Sequence, residues 1–124
     1  GSIACHTGKR SCFFKDIKES QDCISPPADA CSELFKVIES RKSNPEEGSY
    51  TNSLLNEGDN KILKKIGEET AEFIMACKDK NQISVANEAA DIVFHLQVAL
   101  AYQNVSWNEV LNVLVKRKGG PRRN

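Results

Sequence analysis

With 124 residues, 40% of them hydrophobic and 27% charged, the chain has material for one modest domain around a single core. Seventeen basic residues balance seventeen acidic ones, which excludes a global field that would hold the chain on nucleic acid or a lipid surface, so an anionic ligand must be met by a local cluster. Five cysteines (Cys5, Cys12, Cys23, Cys31, Cys77) are odd in number and scattered, against a disulfide framework, and no apolar run reaches the roughly 18 residues of a membrane span or forms a signal peptide.

Residues 1–27 lack helical periodicity, are rich in Cys, Ser and charge, and close on Pro26-Pro27, so they read as an appendage. From Ala28 the pattern turns helical: Leu34, Phe35 and Ile38 share one face before the break at Ser43-Asn44-Pro45, predicting a first helix over about 28–41. Ser49 opens a short segment, SYTNSLLNEG, closed by Gly58, and Asp59 is the expected N-cap of a third helix over about 60–79. Ile62, Ile66, Thr70, Phe73 and Cys77 form its expected core stripe, and Cys31 and Cys77 read as small core residues. After the polar break Asp79-Lys80-Asn81-Gln82, a fourth helix over about 84–103 carries apolar residues nearly all the way round, the pattern of a buried helix. The last helix opens on Ser106-Trp107-Asn108-Glu109, which has the form of a capping box, and stops at Gly119-Gly120-Pro121; 119–124 is a tail. Nothing after Pro27 has strand period or repeats, and the expected class is all-α, with four to five helices.

Carboxylates stand out against this frame. In GEETAE, Glu68 and Glu69 precede Glu72 by four and three residues, which places their Cβ atoms about 5–6 Å apart on a helix. One reading is a solvated face, salt-bridged by Lys64 to Glu68 and Lys65 to Glu69. The fourth helix favours another, because Glu88, Asp91 and His95 form a narrow polar stripe on an otherwise apolar cylinder, where acids need a cation or paired bases. Glu68, Glu69, Glu72, Glu88 and Asp91 are therefore the candidate ligands of a hard divalent ion, Mg²⁺ or Mn²⁺. Such an ion on phosphate oxygens suits hydrolysis of a phosphate anhydride, and Glu69 and Glu72 are the candidates for handling the attacking water. Lys61, Lys64 and Lys65 stand near enough to hold phosphates, or are surface lysines. Arg41 and Arg117 lie at helix ends, where neutralising a C-terminus is the favoured role. His95, one turn after Asp91, can orient that carboxylate, contact substrate or satisfy a core hydrogen bond.

The pattern E-E-x-x-E, fifteen residues, then E-x-x-D resembles the signature of the MazG-like all-α nucleotide pyrophosphohydrolases. Within that superfamily, SYTNSLLNEGDNKILKKIGEETAEFIMACK and NEAADIVFHLQVAL resemble the phosphoribosyl-ATP pyrophosphohydrolases of histidine biosynthesis. The resemblance covers residues 28–118 and implies a MazG-like bundle completed by dimerisation. It also implies Mg²⁺-dependent hydrolysis of phosphoribosyl-ATP to phosphoribosyl-AMP and pyrophosphate. It further implies that Lys64 and Lys65 belong to the active-site region and that Ser49, Tyr50 and Thr51 lie near substrate; capping by Ser49 with Tyr50 in the core is the alternative for that element. A broad nucleoside-triphosphate pyrophosphatase of the same fold, or a non-catalytic helical dimerisation module, are the competing functional readings. Nucleic-acid and membrane partners are not expected.

Residues 3–14, IACHTGKRSCFF, resemble the C-terminal end of phosphoribosyl-AMP cyclohydrolases, which catalyse the next step and in many organisms are fused in this order. The resemblance makes Cys5 and Cys12 a vestigial zinc motif that would bind Zn²⁺ only if completed by ligands absent here, so cyclohydrolase activity is not expected. It divides the chain into a cyclohydrolase remnant with linker (1–27), a pyrophosphohydrolase domain (28–118) and a tail (119–124), the C-terminal part of a bifunctional protein. The expected compartment is the cytoplasm for a bacterial source and the plastid for a plant.

Overall fold

Five helices follow one another through residues 29–118, the part of the chain that the computed structural model describes: α1 (Ala30–Ser43), α2 (Tyr50–Glu57), α3 (Asp59–Asp79), α4 (Gln82–Tyr102) and α5 (Trp107–Lys118). The all-α expectation holds, and among the described residues there is no strand. The readings for 1–27, with Cys5 and Cys12, and for the 119–124 tail lie outside the described residues.

Local chemistry explains each boundary. Ser49 Oγ accepts from Asn52 N at 3.2 Å and starts α2. Gly58, at φ 93°, turns the chain from α2 into α3 in a conformation that glycine adopts without strain. It also occupies the N-cap position expected for Asp59, which falls one residue inside α3, where its carboxylate still complements the positive end of the helix. Lys80 takes the left-handed conformation (φ 58°, ψ 33°) that ends α3, and Asn81 Oδ1 accepts from Ser84 N to begin α4. The capping box at α5 is complete: Glu109 N donates to Ser106 Oγ at 3.1 Å, and Ser106 N to Glu109 Oε2 at 3.0 Å.

The two-residue turn folds α4 back along α3, and these 21-residue helices make the most extensive contact in the molecule. Leu34, Phe35 and Ile38 of α1, Leu54 of α2, Ile62 of α3 and Phe94, Val98 and Ala101 of α4 form the core. Asn52 ties the loop before α2 to α1: its Nδ2 donates to Arg41 O and its Oδ1 accepts from Glu46 N, both at 2.8 Å.

The core stripe of α3 differs from the expected one. Thr70 and Cys77 are exposed, whereas Ile62, Glu69 and Ala76 are buried and Ile66 and Phe73 half-buried. At about 100° per residue, Ile62 and Ala76 lie within about 20° of Glu69, while Thr70 and Cys77 are about 100° and 80° away. The buried face is thus centred on an acid, the residue type that a hydrophobicity pattern passes over. Cys31 is likewise exposed rather than in the core. Nor is α4 buried all round: Asp91, Phe94, His95, Gln97, Val98 and Ala101 face inward, but Ile83 and Leu96 are exposed, because α1, α2 and α3 cover one side of it.

Candidate metal centre

Packing of α3 on α4 brings Glu69, Glu88 and Asp91 together, each offering a carboxylate oxygen within 4.8 Å of the others. Glu69 is fully buried, Asp91 is 3% exposed and Glu88 half-buried. Glu88 and Asp91 are three residues apart on one face of α4, and Glu69 meets them from the middle of α3. Two unit charges at that separation repel by about 3 kcal/mol at an effective dielectric of about 20. Lys65 Nζ lies 3.8 Å from Glu69 Oε2 and 3.3 Å from Glu68 Oε1, so its single charge is shared between two acids. The three acids together could hold a metal ion. The donors are all carboxylate oxygens, which fit a hard ion and not a thiolate- or imidazole-seeking one.

The other candidate residues differ in burial and in their partners. Glu68 and Glu72 are exposed and lie outside the three-acid group; they are rotated about 100° and 60° to one side of Glu69, away from the centre of the buried stripe. Lys64 is exposed and Lys61 half-buried, with Lys61 Nζ 3.8 Å from Glu57 Oε1. In the S-Y-T element Ser49 is the N-cap of α2, Tyr50 is half-buried and Thr51 is fully buried. His95 is 1% exposed and both its nitrogens meet protein: Nδ1 lies 2.8 Å from Asp91 O and Nε2 3.0 Å from Tyr50 Oη. Arg41 sits in the last turn of α1, as expected, but its guanidinium is buried and lies 3.8 Å from Glu46 Oε1 across the following loop. Asn52 escaped sequence reasoning; the one available signal was an amide three residues after a start-of-helix serine, a region where side chains bond to nearby backbone.

The sequence model of the family PRA-PH, phosphoribosyl-ATP pyrophosphohydrolase, matches residues 31–118. The chain belongs to this family. The matched stretch includes all three converging acids and every described helix except the first residue of α1. Relatives agree. The histidine biosynthesis bifunctional protein HisIE of Parasynechococcus marenigrum (strain WH8102) is 65% identical over 127 residues, covering 99% of this chain and 57% of that protein. The HisIE protein of Prochlorococcus marinus (strain MIT 9313) is 59% identical over 128 residues, covering 100% of this chain and 58% of its own length. That of Thermosynechococcus vestitus (strain NIES-2133 / IAM M-273 / BP-1) is 48% identical over 118 residues. The chain thus spans a little over half the length of the curated relatives it matches. Among the described residues no helix is long and apolar enough to cross a membrane.

Proposed function

We propose that this domain hydrolyses phosphoribosyl-ATP between its α- and β-phosphates, giving phosphoribosyl-AMP and pyrophosphate, in histidine biosynthesis. The observation that carries the reading is the convergence of Glu69, Glu88 and Asp91 across α3 and α4, within the stretch that the family matches. Glu69, Glu88 and Asp91 would hold Mg²⁺, with Mn²⁺ able to replace it. The ion would neutralise charge on the phosphate oxygens and make a bound water more acidic. Glu72, one turn beyond Glu69 and exposed, is suited to take a proton from the attacking water, while Glu68 extends the acidic rim. Lys65, half-buried beside Glu69, and the exposed Lys64 would hold phosphate oxygens that the cation does not reach. Ser49, Tyr50 and Thr51 would shape the substrate side of the site from the start of α2.

A second copy of the chain is proposed to cover the apolar residues left open, among them Leu63, Ile74 and Met75 on α3 and Ile83 and Leu96 on α4, giving a homodimer. In the bacterial setting of the relatives, the proposed compartment is the cytoplasm. Incubation with Mg²⁺ and either phosphoribosyl-ATP or common dNTPs, followed by pyrophosphate measurement, tests the activity. Release from phosphoribosyl-ATP is the expected result; release from dNTPs alone would overturn the substrate, and release from neither would favour a non-catalytic helical module.

A further inference from the structure

The geometry points to His95 as a positioning residue that sets the start of α2 against the acid-bearing turn of α4, through a fixed tautomer and the Tyr50 hydroxyl. The inference rests on the functional reading above, since it concerns how the S-Y-T element is held for substrate.

A backbone carbonyl only accepts, so His95 Nδ1, 2.8 Å from Asp91 O, carries a proton and donates. With the ring neutral, Nε2 is bare and Tyr50 Oη, 3.0 Å away, donates to it. One ring therefore grips the backbone of the residue that bears a candidate metal ligand and, at its other end, the first residue of α2. Packing restricts the pair further: Tyr50 stacks on Phe94 at 5.9 Å and 24°, while His95 stands edge-on to both rings, at 5.0 Å from Phe94 and 5.9 Å from Tyr50. The tautomer matters because the alternative, with the proton on Nε2, would set a bare Nδ1 against a carbonyl oxygen, lone pair against lone pair. His95 is 1% exposed, so its effect on substrate passes through Tyr50.

Two side-chain replacements separate the two ends of the ring. Asn at 95 places an amide N–H near the Nδ1 position and lacks an acceptor at Nε2; Gln places a carbonyl oxygen near Nε2 and can still accept from Tyr50. Losing one hydrogen bond of this kind corresponds to about a 3- to 10-fold change in an equilibrium. Tyr50→Phe and His95→Asn are therefore expected to raise KM for phosphoribosyl-ATP about 3- to 10-fold with kcat nearly unchanged, while His95→Gln stays close to wild type. The double change Tyr50→Phe/His95→Asn should cost no more than either single change, because both delete the same bond. Mn²⁺ affinity, followed by paramagnetic resonance, should be the same in all four variants.

Imidazole nitrogen NMR on the wild-type chain supplies a readout independent of turnover, with Nδ1 expected protonated and Nε2 bare. An Nε2-protonated ring, an unchanged KM in Tyr50→Phe, fully additive effects, or loss of Mn²⁺ binding in step with KM would each overturn the inference. If wild type releases no pyrophosphate from phosphoribosyl-ATP, the functional reading fails and this one falls with it; if wild type is active and the variants match it, only this one falls.

Discussion

Glu69→Gln separates the metal-site reading from that of a salt-bridged surface. Glu69 is fully buried, with Glu88 and Asp91 oxygens within 4.8 Å and Lys65 Nζ at 3.8 Å. Without a bound cation, removing its charge relieves its repulsion from Glu88 and from Asp91, about 3 kcal/mol for each pair, and gives up its attraction to Lys65, about 4 kcal/mol, at an effective dielectric of about 20. Over these three pairs the net effect is a stabilisation on the order of 2 kcal/mol, or about 8–16 °C in Tm for a domain of this size. In EDTA the variant should therefore melt above wild type. In Mg²⁺ the order of effects reverses: wild type gains stability as the ion binds the folded state alone, whereas the variant, short of one ligand, gains little. Phosphoribosyl-ATP turnover should fall at least about 100-fold, as for removal of a group that serves the transition state. Thermal unfolding of both proteins in EDTA and in Mg²⁺, with pyrophosphate release measured alongside, checks all three. A variant that melts lower than wild type in EDTA, or that keeps the full Mg²⁺-induced rise, would refute the reasoning.

Asp91→Asn should behave in the same sense, with Mn²⁺ binding lost and helicity by circular dichroism retained, since the amide keeps the shape of the side chain. Asn52→Ala deletes two hydrogen bonds, the one to Arg41 O buried and the one to Glu46 N part-buried; a loss of about 1–3 kcal/mol should appear as a lower urea midpoint with an unchanged slope. Gly58→Ala meets only Tyr102 Oη at 3.5 Å, ordinary contact, so its cost comes from the backbone (φ 93°, ψ −176°), a region almost confined to glycine, and should be about 1–3 kcal/mol by the same measurement.

The sequence by itself determined what depends on neighbours along the chain. The capping box at Ser106 and Glu109, the Ser49 cap, the Gly58 turn and the polar break before α4 are local hydrogen-bonding and backbone preferences, and they place five helices within a few residues of where they stand. It also named the five acids, because E-E-x-x-E and E-x-x-D are spacings that only a helix turns into a face. Tertiary structure decided which of them meet. Glu68, Glu69 and Glu72 share an arc of about 100° on α3, and no rule of spacing says which part of that arc faces α4. Contact with α4 selected Glu69, burying it at the centre of a stripe where hydrophobicity alone had put Thr70, and left Glu68 and Glu72 in solvent. The same packing closed His95 between Asp91 and Tyr50, residues 4 and 45 positions away. The first of those links is a helix turn and legible in the chain; the second exists because α2 lies against α4, and only the assembled bundle shows it.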